Sequence, residues 1–225
     1  MPSGSMRAAI TEAQRMAWDE TIGYTFGGDG NPDSNGYDCS AFVIRCLYRA
    51  GFNVPAHRVG TAYMGQQVLV PAGFLELQYT QGMQMKNGDI VVINDGSYGH
   101  TYYYAEDVYG YSDYPQGSAP DYASNVTRTF AQLPYAKIEA YSSLGRTQSG
   151  DNPNSHGACC EVWVHRLNPS NITGSHPASS CQVYRCPWND LDDNSASEGA
   201  IQYVLSQFFR KRRLEDANTY NWVDL

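Results

Sequence analysis

Apolar residues recur at Met6, Ala9, Ile10, Ala13, Met16 and Ala17, the three-to-four spacing of a helix over residues 6–22 that Gly23 ends. The next fifteen residues, YTFGGDGNPDSNGYD, are dense in Gly, Asn, Asp and Pro and predict a loop. Asp38 stands where a second helix needs an N-cap, and Cys39 to Ala50 (CSAFVIRCLYRA) places Phe42, Val43, Cys46 and Leu47 on a buried face before Gly51 at C′. A weaker helical pattern spans 56–70 and runs into the turn Pro71-Ala72-Gly73.

Beyond residue 85 the period changes from helical to strand-like. Met85 to Asp89 reads as a turn feeding the short apolar strand Ile90-Val91-Val92-Ile93, and after Asn94-Asp95-Gly96-Ser97 the segment His100 to Ala105 reads as its partner. Lys137 to Tyr141 and the alternating Glu161 to Arg166 (EVWVHR) are further strands. Residues 107–136, polar, aromatic and proline-punctuated, predict a long surface insertion, and 142–157 a second long loop. From Leu167 to Asn194 no period stands out, and a last helix is expected over about 197–215, with Arg210-Lys211-Arg212-Arg213 near its C-terminal end. Helices first and antiparallel strands after them predict an α+β fold with the helices packed on one face of the sheet. The expected organisation is a main domain over 1–167 and an extension over 168–225 that either packs back on it or binds elsewhere.

Composition narrows the partners. A formal charge of −8 and the lack of a basic stripe with interleaved aromatics argue against nucleic acid. No run approaches the roughly 18 apolar residues of a membrane span. MPSGSMRAAITEAQRM has no basic segment followed by an apolar one, so no signal peptide is expected. The 18 tyrosines suit sugar or peptide contacts as well as β-rich cores. Of the six cysteines, Cys46 reads as core, Cys159 and Cys160 are adjacent and poorly placed to pair with each other, and Cys181 and Cys186 enclose a short loop that a disulfide would close.

The candidate chemistry begins at Cys39. A cysteine in the first turn of a helix sits at the positive end of the helix dipole, which favours the thiolate. The amides of that turn, Ser40's among them, are natural oxyanion donors, and the glycine-rich loop ahead lets backbone approach a substrate. His100, on a strand and preceded by Gly99, is a candidate to take the thiol proton and later return it. Its second ring nitrogen needs an orienting group. Glu139, an acid between Ile138 and Ala140 on the next strand, is the expected one, with His156 and Asp107 as weaker choices.

The stretches Tyr24-Thr25-Phe26-Gly27-Gly28, Tyr37-Asp38-Cys39-Ser40, Asn87-Gly88-Asp89-Ile90-Val91, Gly99-His100-Thr101 and Lys137-Ile138-Glu139-Ala140 resemble the motif series of NlpC-like papain-fold cysteine peptidases. The likeness is nearest to phage peptidoglycan hydrolases (endolysins) of that superfamily, to which the CHAP domains are related, and it spans about residues 8–166. It implies a papain-like fold with Cys39 as nucleophile, His100 as base, Glu139 in the third position, and Tyr24, Asp38 and Ser40 around the oxyanion and substrate. It also implies cleavage of an amide in the peptidoglycan stem, as endopeptidase or N-acetylmuramoyl-L-alanine amidase, by a monomer needing no cofactor or metal. Such an enzyme is made in the cytoplasm and reaches the cell wall after release. The chain departs from the family pattern at Ala41, where glycine is usual, and in the long interval between His100 and Glu139.

Three other readings predict different properties. A wall-binding module of the same fold would not need Cys39. A superfamily acyltransferase would use the same pair on lipids or amines. A zinc protein would draw on His156, Cys159, Cys160, His165, Cys181 and Cys186, which lack a C-x-x-C spacing.

Overall fold

In a computed structural model, residues 3–17, 19, 22–29, 36–111, 130–142 and 160–191 are described. Helix α1 (Met6–Ala17) and helix α2 (Cys39–Arg49) lie together against a mixed α+β core. A short helix α3 (Thr61–Met64) continues as one wider turn, Gly65–Leu69. The strands are β1 (Gly23–Tyr24), β2 (Gly36–Tyr37), β3 (Leu75–Gln78), β4 (Ile90–Asn94), β5 (Gly99–Tyr111), β6 (Phe130–Ser142), β7 (Cys160–Arg166) and β8 (Cys181–Arg185). They form one sheet in the order β2-β1-β7-β6-β5-β4-β8-β3, of which the six strands from β7 to β3 run antiparallel to their neighbours in that order.

Alternation along these strands divides the core in two. Ile90, Val92, Tyr103, Ala105, Ile138, Ala140, Val162 and Val164 pack with Met6, Ile10, Ala13 and Met16 of α1 and Phe42, Val43, Cys46 and Leu47 of α2. The opposite parity, including Val91, Ile93, Tyr102, Tyr104 and Val183, packs under residues 79–85 and 167–178. The sequence pattern gives α2 one apolar face, yet Ala41 and Ile44 are buried as well, because the helix lies between α1 and the sheet. The Tyr103 hydroxyl donates to the Val43 carbonyl at 2.8 Å and ties β5 to α2.

Several expectations are corrected. The helix expected over 56–70 begins at Thr61. Residues 107–111 and 130–136, expected within a surface insertion, extend β5 and β6 into a long hairpin, with Leu133 and Ala136 fully buried; 112–129 lie outside the described residues. The ladder pairs Glu106 with Tyr135 and then Val108 with Leu133, skipping Asp107 and Pro134. Asp107 has φ 52°, and proline has no N–H to offer the ladder. The kink there reverses side-chain parity, so Val108 and Leu133 return to the helix side. The hairpin then curls until Tyr111 pairs with His165. Gly110 permits that approach, since a Cβ would lie 2.6 Å from the Val164 carbonyl oxygen.

The stretch assigned to a patternless extension supplies β8, inserted between β4 and β3. Just beyond it, Asp190 accepts from the Arg7 amide at 2.9 Å, so residues 168–191 belong to the same folded unit. Cys181 and Cys186 are both free. The chain between them is extended, and their separation of five positions sends them to opposite sides of the sheet, Cys181 into one core and Cys186 into the other. The helix expected over 197–215, with its basic run, lies outside the described residues.

Candidate active site

Asp38 is the N-cap of α2. Its Oδ1 accepts from the Ala41 amide at 2.8 Å and from the Ser40 hydroxyl at 2.8 Å, while Oδ2 pairs with Arg58. This fixes the first turn, and Cys39 is its first helical residue. The cap engages Ala41, and helix geometry leaves the amides of Cys39 and Ser40 without carbonyl partners inside the helix. The Ser40 hydroxyl is turned to Asp38, and Ser40 itself lines the cleft.

The N-terminal ends of α2 and α3 meet the first residues of β5 and the last of β6 around a cleft of about 590 Å³. Its walls include Tyr24, Asp38, Cys39, Ser40, Arg58 and His100, with Tyr98 and Tyr141 beside the imidazole. Phe26 and Tyr63 line the same cleft and are exposed. Cys39 and His100 are each 7 % exposed, at the floor of the cleft rather than sealed beneath it. Gly28 lies against the loop before α2, where a Cβ would come within 2.5 Å of the Gly36 carbonyl oxygen. Gly28 is therefore needed for backbone packing.

His100 and Cys39 line the same cleft, close enough for the sulfur to act on the imidazole. Its Nε2 lies 2.6 Å from Glu139 Oε2. With Nε2 committed to the carboxylate, Nδ1 is the ring nitrogen left for sulfur. The 39 positions between His100 and Glu139 are spanned by the β5–β6 hairpin, whose register makes the two residues diagonal neighbours on one face. Glu139 is fully buried and also faces Lys137, whose Nζ is 3.9 Å from Oε2.

Burial opposes charge on His100, but the Glu139 carboxylate and the hydrogen bonds to Cys39 and Glu139 outweigh it and lift the imidazole to about 9. Burial likewise opposes ionisation of Glu139, yet Lys137, His100 and His165 together hold it well below the usual carboxylate range. Tyr98 is pushed well above the ordinary tyrosine value, first by burial and then by Glu139 and Cys39, which keeps its phenol protonated.

His165 is the residue that reasoning from sequence placed elsewhere. Its Nε2 lies 2.6 Å from Glu139 Oε1, so one carboxylate holds two imidazoles. The available signal was the alternation in EVWVHR, which puts Trp163 and His165 on the face opposite Val162 and Val164; the pairing of β7 with β6 supplied the rest. Asp107, the weaker alternative to Glu139, is exposed at the kink in β5 and takes no part in the cleft. His156, the other alternative, lies outside the described residues, as does Cys159.

Among the described residues no group of three or more His, Cys, Asp or Glu is placed to hold a metal ion. The two imidazoles meet separate oxygens of Glu139, and Cys181 and Cys186 are on opposite sides of the sheet. No helix among those residues is long and apolar enough to cross a membrane. No protein-family model matches this chain, and no curated protein or solved structure shows significant similarity to it.

Proposed function

We propose that this protein is a cysteine-dependent hydrolase that cleaves an amide bond in the stem peptide of peptidoglycan. The supporting observation is that Cys39 and His100 line the floor of one open cleft, with Glu139 bound to His100 Nε2 at 2.6 Å. A thiol next to an imidazole, with a buried carboxylate holding the far ring nitrogen, is a nucleophile with an oriented base. The peptidoglycan stem as substrate rests on the motif series at Tyr24–Gly28, Tyr37–Ser40, Asn87–Val91, Gly99–Thr101 and Lys137–Ala140.

In this reading the proton shared by the pair already rests on His100, whose midpoint is raised, and the Cys39 sulfur attacks the amide carbonyl. The oxyanion meets the amides at the start of α2, with the Tyr24 hydroxyl in the same cleft as a further donor. The imidazolium gives its proton to the leaving amine, the C–N bond breaks, and a thioester remains on Cys39. Water, deprotonated by His100, then attacks the thioester, releasing the acid and restoring the pair. Tyr24, Tyr98 and Tyr141 supply surfaces for the substrate, and the enzyme acts as a monomer on the wall after release from the cell that makes it.

Digestion of defined muropeptides, read by fragment mass, tests this. The expected result is a single new carboxyl and amine pair, either next to D-glutamate or between muramic acid and L-alanine, that vanishes in Cys39→Ala. Wall binding without new fragments, equal in the wild type and that variant, would instead support a non-catalytic module.

A further inference from the structure

We propose that His165 is a positioning residue for the Cys39–His100 pair: by binding the second oxygen of Glu139, it holds the carboxylate where it keeps the His100 ring turned toward Cys39. The inference rests on the hydrolase reading for its purpose, though not for its test.

Glu139 lies on the middle of three strands. His165 is opposite Lys137 and so diagonal to Glu139 across the β6–β7 ladder, as His100 is across the β5–β6 ladder. The two Nε2 atoms are each 2.6 Å from a different oxygen of the same carboxylate. An ionised carboxylate only accepts hydrogen bonds, so both Nε2 atoms must carry a proton. For neutral His100 this leaves the lone pair on Nδ1, the nitrogen Glu139 does not hold. A glutamate tethered at one oxygen can still turn about its terminal bond. A second tether on the other oxygen, from a strand residue 2 % exposed, removes that freedom.

The groups around this carboxylate and its two imidazoles come from every neighbouring element. His100 and Tyr102 belong to β5, Lys137 and Tyr141 to β6, and Trp163 and His165 to β7, with Tyr98 and Cys39 on the cleft side. The Lys137 ammonium approaches Oε2, the oxygen His100 uses, and sits 4.9 Å from the centre of the Tyr102 ring. It adds positive charge there but does not hold Oε1, which His165 binds.

The experiment uses the full chain with iodoacetamide as probe, following alkylation of the Cys39 peptide by mass spectrometry at pH 7, and NMR of protein labelled with ¹⁵N-histidine. In the wild type both His100 and His165 should show the Nε2–H form when neutral. His165→Leu should slow Cys39 alkylation at least tenfold and lower the titration midpoint of His100 by a unit or more. His165→Gln, whose amide can donate to Oε1, should stay within about threefold of the wild-type rate. A wild-type His165 protonated on Nδ1 alone overturns the proposal without any variant. So does a folded His165→Leu protein that alkylates at the wild-type rate with an unmoved His100 titration, or a His165→Gln protein as slow as His165→Leu. Neither readout needs a wall substrate. Absence of muropeptide cleavage with the alkylation pattern as expected therefore removes the hydrolase reading alone, and normal cleavage with unaltered alkylation in His165→Leu removes the role of His165 alone.

Discussion

Strands β5, β6 and β7 carry two opposite kinds of surface on the same backbone. Toward α1 and α2 they present Tyr103, Ala105, Ile138, Ala140, Val162 and Val164, an apolar layer closed to water. On the other side the same strands present His100, Tyr102, Lys137, Glu139, Trp163 and His165. The first surface is held by removal of apolar area from water, a force without direction that tolerates small shifts. The second is held by charge-assisted hydrogen bonds at 2.6 Å, which contribute little net stability after desolvation but specify positions closely. The helix side is apolar throughout, whereas the other side combines a second apolar core with the candidate chemistry.

Variants on the two faces should therefore fail differently, and the largest effect belongs to the thiol. Cys39→Ala should lower muropeptide cleavage by about a thousandfold or more, with little change in melting temperature, because the cap at Asp38 remains. Ile138→Ala, on the apolar face, should cost about 2–5 kcal/mol in denaturant unfolding while cleavage per folded molecule stays near wild type. A loss of activity without a loss of stability there would erase the contrast between the faces.

Glu139→Gln keeps the shape of the polar face and removes its charge. Cleavage should fall by about a hundredfold or more, and the His100 midpoint should drop from about 9 toward its ordinary value. Stability against pH sharpens the comparison further. Because the folded His100 midpoint is raised, its contribution is complete below the ordinary histidine value near 6.5 and fades as pH rises through about 9. Because Glu139 is depressed, its contribution is present above the usual carboxylate range and is lost only as pH falls well below it. Melting temperature should thus decline toward pH 9 in the wild type, and Glu139→Gln should flatten that alkaline decline. A wild-type curve level from pH 6.5 to 10 would show that the histidine–carboxylate pair contributes no stability. The smallest expected effect is Tyr103→Phe, which removes the bond to the Val43 carbonyl and should cost about 1 kcal/mol, with a modest change in cleavage because β5 and α2 carry the two halves of the site.

How much was legible in the sequence varies by element. The segments 90–93, 100–105, 137–141 and 161–166 were readable because each alternates or runs apolar over several residues, and α2 because a capping aspartate precedes an apolar stretch. Strand β3, whose residues are mostly exposed, has no such pattern, and β8 sits among Ser, Pro and Asn. The outer half of the β5–β6 hairpin was hidden because Gly110 and Pro134 are strand-breaking signals, and both are tolerated where the hairpin curls and kinks. Cys39, His100 and Glu139 were nameable from local context. His165 was not, since its partner lies on a strand 26 positions away and only register joins them.

By itself, the sequence specified which residue types could react and which elements would carry them, because capping, period and turn chemistry act over a few neighbouring positions. Which of those residues meet was decided by strand order, the kink at Asp107 and the insertion of β8. These depend on pairing between distant segments, and one-residue changes in register would carry each side chain to the other face.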